Sequence, residues 1–283
     1  MPPERPRGRR SGLASLGATP RLTDYLADLW AHRELARTLA LNDFRNRNSG
    51  TILGAGWNLL SPLLLLGVYW FVFGVVLAGR RPDNFLAFLA VGFFLFQFIQ
   101  RSAKEGSGSL LKGQGLIRSV HFPRAVLPLS EVVRNALGFL WELPVVLFIV
   151  LAVTREAPRP GWAVFLLVIV PMATLFASGL TLILARMATV IGDIRKLIPI
   201  LFRVLFYLSG ILFPVRAFVD DNPLLEYLVL NPIYAFVTLA RHYTLEPEPG
   251  ILTLWLSAAA WTFGIAIVGT FFFSRAEHRY GGA

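Results

Sequence analysis

From residue 57 onward the chain alternates long apolar runs with short polar segments, a pattern that predicts membrane-crossing helices. A single helical crossing needs roughly 17–25 predominantly apolar residues. Six runs are read in this way, at about 57–78, 85–100 (short), 136–153, 162–185, 197–213 and 251–273. Upstream, between Thr23 and Asn42, the pattern is instead amphipathic. Leu26, Leu29, Trp30, Arg33 and Arg37 recur among polar positions at helical spacing, and Thr23 or Asp24 can serve as N-cap. This predicts a helix lying along the cytosolic interface with Trp30 at headgroup level, or packed by one face on a partner.

Two segments depart from this alternation. The first, Leu116-Ile117-Arg118-Ser119-Val120-His121-Phe122-Pro123-Arg124 followed by Leu127-Pro128-Leu129, lies in a basic, Gly- and Ser-containing loop between the second and third runs. Pro123 and Pro128 each lack an N–H and push the preceding residue towards extended geometry. The expected shape is a short helix over about 115–121, a Pro-marked elbow, and then the next span. Such an apolar, cationic knob suits docking into a groove on another protein; an ordinary basic loop has the same composition. The second segment, 214–250, is strongly apolar over 224–230 and 233–240, interrupted by Asn231-Pro232. Each half is about 10–12 Å long as a helix, too short to span. Two re-entrant half-helices hinged at Asn231-Pro232 fit these lengths, because irregular backbone at membrane depth must be enclosed by protein or water. A compact external subdomain is the alternative. In the re-entrant reading Leu228, Asn231, Pro232 and Tyr234 form an external gate.

Charge then orients the spans. Lys and Arg number nine up to Gly56, five in 101–124, three in 186–196 and two in the C-terminal tail, against six on the opposite side. The excess places both termini, and the Pro-marked elbow, in the cytosol. The expected fold is therefore an all-α integral membrane protein with six transmembrane helices, an amphipathic N-terminal interface helix, and re-entrant half-helices between the fifth and sixth spans. Residues 1–20 form a basic tail expected to be disordered, 21–56 the interface region, 57–273 the transmembrane domain and 274–283 a cytosolic tail. The net charge of +10 does not point to nucleic acid, because the aromatic residues lie in apolar runs rather than among basic ones.

Candidate chemistry is sparse. There is no cysteine, and His32, His121, His242 and His278 are too scattered to suggest a metal site. No Gly-Lys-Ser or Gly-Lys-Thr occurs, so the chain lacks a phosphate-cradling loop and must draw energy from a partner or an ion gradient. For a gradient, Glu142 with Glu131 and Asp193 is thin equipment; Glu131 and Arg134 stand at i,i+3 and can pair locally. Tyr69, Trp70 and Phe73 in the first span, and Phe202, Phe206 and Tyr207 in the fifth, offer planes on which sugar rings can slide, or simply face lipid and neighbouring helices. Arg203, about 10 Å along the fifth span from Lys196, can face a conduit, meeting a lipid-linked pyrophosphate or pairing with Glu142, or snorkel to headgroups.

Three passages together resemble the permeases of polysaccharide-export ABC transporters (ABC type-2 transmembrane subunits). They are Thr51-x-Leu53-Gly54-x-x-Trp57-x-x-Leu60-x-Pro62 before the first span, the Leu116–Arg124 loop ending in Leu127-Pro128-Leu129, and Leu208-Ser209-Gly210-Ile211-Leu212-Phe213-Pro214-Val215 with the later Asn231-Pro232. Thr51 stands where that family has Ser, and His121 where it usually has Tyr. The resemblance implies an inner-membrane exporter of lipid-linked polysaccharide such as O-antigen, teichoic acid or galactan. It further implies a homodimer working with two copies of a separate ATPase subunit, which binds the ATP and Mg; this chain has no cofactor or enzymatic role. Leu116, Ile117, Arg118, His121, Phe122, Pro123 and Arg124 are then the contact with that ATPase. Alternatives are a small-molecule efflux permease of the related group, a membrane glycosyltransferase and a non-transporting scaffold. For an enzyme, the only paired external acid is Asp220-Asp221, which reads better as a turn cap before Asn222-Pro223.

Overall fold

The computed structural model describes residues 22–46, 54–76, 82, 84–120, 122–215, 227–228, 230–247 and 249–276, and every regular element among them is helical. The basic tail, Thr51, Leu53, His121, the Asp220-Asp221 pair, most of 224–230 and the end of the C-terminal tail lie outside the described residues. Two short helices, α1 (Leu22–Ala31) and α2 (Arg33–Asn46), replace the single amphipathic helix expected, with a turn at His32 between them. The first apolar run is α3 (Trp57–Tyr69), continued by a π-helical stretch Trp70–Val76. Then come α4 (Phe85–Ser107), α5 (Ser109–Lys112), α6 (Gln114–Ser119) and α7 (Val126–Thr154). α8 (Gly161–Val164) runs through a π turn at Phe165–Ile169 into α9 (Val170–Val190). The chain ends with α10 (Ile194–Leu208), α11 (Pro232–Thr244) and α12 (Ile251–Ser274).

Among the described residues, five helices are long and apolar enough to cross a membrane: Trp57–Val76, Phe85–Ser107, Val126–Thr154, Gly161–Val190 and Ile251–Ser274. The fifth expected run appears as α10, whose 15 residues stop at Leu208 rather than 213. At 1.5 Å per residue it reaches only about 22 Å, short of a hydrocarbon core of about 30 Å. α7 starts ten residues earlier than expected because Pro128 falls in its first turn. There a missing N–H costs nothing, since the first N–H groups of a helix have no partner in it. Pro171 is accommodated differently. Its ring would crowd the carbonyl one turn back, and the backbone widens into the π turn just before it.

α4 is the centre of the bundle. Its apolar window is 78% buried, against 11% for the first span, as expected of a helix that is apolar on every side. Phe93, Phe94 and Phe98 are fully enclosed, with α7, α9 and α11 packed around them. α9 and α12 cross so closely that a Cβ at Gly179 would collide with the backbone at Ile265 and Ala266, and one at Gly269 with that of Gly179. Small residues at a crossing permit this approach, and between apolar helices it is the packing itself that supplies the attraction. The connectivity puts the α5–α6 hairpin and the start of α7 at one end of the bundle. The α7–α8 turn and the starts of α4 and α12 lie at the other.

Candidate functional site

At the elbow, the chain leaves α6 through Val120 in extended geometry (φ −135°, ψ 141°) and passes Phe122-Pro123 before α7 begins. Phe122 is only 7% exposed. It sits in a cluster with Tyr25, Leu127, Leu182 and Phe273, on which Leu29, Leu35, Leu39, Leu116 and Ile117 also pack. The expectation of a projecting apolar knob is therefore corrected at this residue. α1 and α2 fold over the ring, whose burial contributes roughly 1.5–3 kcal/mol. Pro123 is buried beside it, Arg124 is half-buried, and Leu116 and Ile117 turn one side to the cluster. What α6 presents to solvent is Gln114, Arg118, Ser119 and Val120. The interface expectation for α1 and α2 divides by face: Tyr25 and Ala40 are buried against the bundle, while Trp30 is 70% exposed with the Arg33 guanidinium 5.2 Å from its ring.

The aromatic set splits likewise. Phe202 and Phe206 are buried, in ring contact with Phe96 at 5.9 and 5.2 Å, and Tyr69 lies 5.0 Å from Phe206 and 5.9 Å from Phe93. Phe73 is half-buried at the edge of this core. These four belong to the packing of α3 and α10 on α4. Trp70, Arg203 and Tyr207 are exposed at its margin, Tyr207 with its ring edge-on to Phe206 at 5.7 Å, together with Leu197, Ile200, Leu201 and Val204. The contemplated Arg203–Glu142 pair does not form. Glu142, 2% exposed, accepts a 2.8 Å bond from Arg101 of α4. The local Glu131–Arg134 pair does form, and Arg134 also reaches Glu105 at 2.5 Å, to which Asn135 donates at 3.0 Å. Asp193 pairs with Lys196 at 3.0 Å. Each acid weighed for ion coupling is thus engaged by a cation; Glu142 ties α7 to α4 directly, and Arg134, the partner of Glu131 within α7, adds a second tie through Glu105 of α4.

The junction between α10 and α11 is held by a set of side-chain hydrogen bonds. Asn231 caps α11 by accepting the Ile233 N–H at 3.0 Å, and its amide donates to Ser209 Oγ at 3.0 Å and Leu208 O at 3.3 Å. Asn231 therefore satisfies backbone groups on both sides of the bend, as its side chain can do and Pro232 at the first helical position allows. Trp261 of α12 donates to Leu230 O at 2.9 Å. Tyr234 is buried beside the Gly210 turn, where φ is +62° and glycine is favoured. Leu228 is half-buried. The second apolar half expected at 233–240 is a 13-residue helix, about 20 Å long and enclosed almost throughout.

Arg241, counted from sequence with an external loop, instead closes this helix as a buried residue. Its guanidinium donates to Phe88 O (3.0 Å), Gly210 O (2.7 Å) and Ile211 O (3.0 Å), and lies 3.4 Å over the Phe88 ring. Gly92 makes the room, since a Cβ there would sit 2.5 Å from Arg241 Nη2. Sequence reasoning missed this node. The available signal was a lone Arg ending an apolar helical run, in a chain whose second span carries Gly92 one turn from Phe88.

Against known proteins, the family described as ABC-2 type transporter matches residues 34–245. The chain is 30% identical over 212 residues to the O-antigen export system permease protein RfbA of Myxococcus xanthus, covering 75% of this chain and 80% of that protein. It is 24% identical over 249 residues to the protein of the same name from Klebsiella pneumoniae, covering 87% and 93%. With the polysialic acid transport protein KpsM of Escherichia coli it shares 27% identity over 211 residues, 72% of this chain and 78% of that one.

Proposed function

The chain belongs to the ABC-2 type transporter family, and from that premise we propose that it is the membrane subunit of an ATP-driven exporter of lipid-linked polysaccharide. The observation that carries this reading is similarity, over most of the chain, to proteins named as O-antigen export permeases and as a polysialic acid transport protein. In this reading it sits as a multi-pass protein in the bacterial cytoplasmic membrane with both termini in the cytosol. Its partners are a second copy of itself and two copies of an ATPase that binds ATP and Mg. The cargo is an O-antigen, teichoic acid or cell-wall galactan on its lipid carrier.

The coupling role divides between two faces of the elbow. Arg118 and the rest of the exposed side of α6 meet the ATPase. Phe122 and Pro123, rooted among α1, α2, α9 and α12, carry the displacement into the bundle, because close-packed interiors transmit strain rather than absorb it. The exposed faces of α3 and α10, with Trp70, Arg203 and Tyr207, are apolar enough to meet lipid or their counterparts on a second copy and to line a conduit between protomers. The Asn231-Pro232 junction with α11 closes its outer end.

The test is co-expression with the ATPase subunit in cells deleted for the native exporter. Surface polysaccharide should appear with the wild-type chain. Arg118→Glu should lower ATPase co-purification and export together while leaving the permease's thermal stability unchanged. Full export without the ATPase would reject the energising partner, and unchanged co-purification in Arg118→Glu would reject the α6 contact.

A further inference from the structure

Near the elbow, α9 and α12 end side by side, and consecutive residues of α12 divide between two environments. Phe273 is fully buried in the elbow cluster with Leu182 of α9, whereas Phe271 and Phe272 are exposed. Val268 of α12 and Met187 and Val190 of α9 are exposed as well, so both helix ends carry apolar surface outward. The Lys and Arg distribution assigns this end to the cytosol. Both helices are long and apolar enough to span, which puts this surface at the level of the inner leaflet.

Two arginines lie on it. Arg186 of α9 reaches across to α12, where its Nη1 donates to the Phe272 carbonyl, one of the last four of the helix and so without a partner inside it. Its guanidinium lies 3.8 Å from the centroid of the Phe272 ring. Arg275, which follows α12, lies 4.0 Å from the centroid of the Phe271 ring. The two rings belong to adjacent residues, so both cations are laid against one turn of helix. Neither has a carboxylate within ion-pair distance among the described residues, unlike Arg101, Arg134 and Lys196. A guanidinium carries five N–H donors, of which Arg186 uses one within the described chain and Arg275 none.

Prearranged cations on apolar surface select a ligand with an anionic head and an apolar body. Guanidinium forks match the oxygens of a phosphate, and acyl chains cover exposed rings and aliphatic side chains. An acidic loop of a soluble protein would answer the charge but leave the apolar surface uncovered. We propose that the cytosolic end of the α9–α12 seam binds one anionic phospholipid, its phosphate on Arg186 and Arg275 and its acyl chains along the exposed face beside them. Leu182 and Phe273, on the inner side of the same helix ends, belong to the cluster around Phe122, so the lipid braces the surface on which the elbow rests. That consequence rests on the coupling reading of the elbow; the binding itself does not.

The experiment is native mass spectrometry of the full chain in neutral detergent, titrated with phosphatidylglycerol or phosphatidylcholine. One phosphatidylglycerol should bind about 25-fold more tightly than phosphatidylcholine, and Arg186→Gln and Arg275→Gln should each weaken it about fivefold, the worth of one basic residue near an anionic surface. The double Gln variant should bind both lipids alike, whereas Arg186→Lys with Arg275→Lys keeps both charges and should keep the preference. Arg195→Gln, an exposed cation on α10, should change nothing. Equal affinity of the wild type for the two lipids, undiminished binding in the double Gln variant, or an equal loss in Arg195→Gln overturns the proposal. So does loss of the preference in the double Lys variant, which would make the arginines packing groups, or displacement by equimolar glycerol phosphate, which would make this a site for soluble phosphate. Loss of ATPase co-purification in the double Gln variant with lipid binding unchanged would assign the cations to that partner instead. Failure of lipid binding with export intact in cells removes this site alone and leaves the export reading standing.

Discussion

Replacing Arg241 and Gly92, singly and together, tests whether the buried guanidinium organises the α10–α11 junction. Arg241→Met removes three bonds to carbonyls, each worth about 1.5–3 kcal/mol when the donor is charged. Burying the guanidinium costs several kcal/mol in return, so the net loss expected is about 3 kcal/mol. Gly92→Ala acts on the same group from the other side. The new methyl would stand 2.5 Å from Nη2 and 3.0 Å from a Val237 methyl. Displacing the guanidinium costs about 1–3 kcal/mol, partly offset by about 0.5–1 kcal/mol of helix propensity gained over glycine. In the Arg241→Met background only the Val237 contact remains, and it needs to yield by a few tenths of an ångström. There the second substitution should be close to neutral, within about 0.5 kcal/mol, giving a coupling of about 1–2 kcal/mol. Reversible unfolding in mixed micelles titrated with SDS, followed by tryptophan fluorescence, measures all four proteins. Additivity within about 0.5 kcal/mol would refute the claim that Gly92 exists to admit Arg241.

Three further outcomes are expected. On α12, Gly269→Ala should destabilise by about 1–3 kcal/mol because its methyl enters the α9 backbone. Gly264→Ala, with nothing within 4 Å, should stabilise by about 0.5–1 kcal/mol; equal melting temperatures for the two would contradict the close α9–α12 crossing. Arg101→Met should cost more than Glu142→Leu, since the acid left behind is the more enclosed partner. The double variant should recover much of an expected loss of about 3–5 kcal/mol, and a double variant as unstable as the worse single one would argue against a discrete pair. Phe122→Ala should lose about 3 kcal/mol and expose the α1–α2 region to limited proteolysis, which an unanchored docking knob would not do.

The helical, membrane-crossing character of this protein was legible in the sequence because it depends on local quantities. Run length against bilayer thickness, the missing N–H of Pro123, and the capping capacity of Asn231 act within a few residues along the chain. The elbow after α6, the break at Asn231-Pro232 and the helical N-terminal region were all located this way. Which face of each helix is covered was not legible, because in apolar segments every face looks alike. Phe202 and Tyr207, five residues apart on α10, are equally aromatic in sequence, yet one is buried and the other exposed. Phe122 read as a projecting knob until α1 and α2, distant in sequence, closed over it. Glu142 could have met Arg203 or Arg101, and the height at which α4 passes α7 chose Arg101. Arg241 looked like an external loop charge. It became a buried tie because the α4 backbone at Phe88 with the space above Gly92, and the turned carbonyls at Gly210 and Ile211, converge on it from two other stretches of chain. A buried charge is tolerable only where such partners arrive together, and their arrival is a property of the packed bundle, not of any one segment.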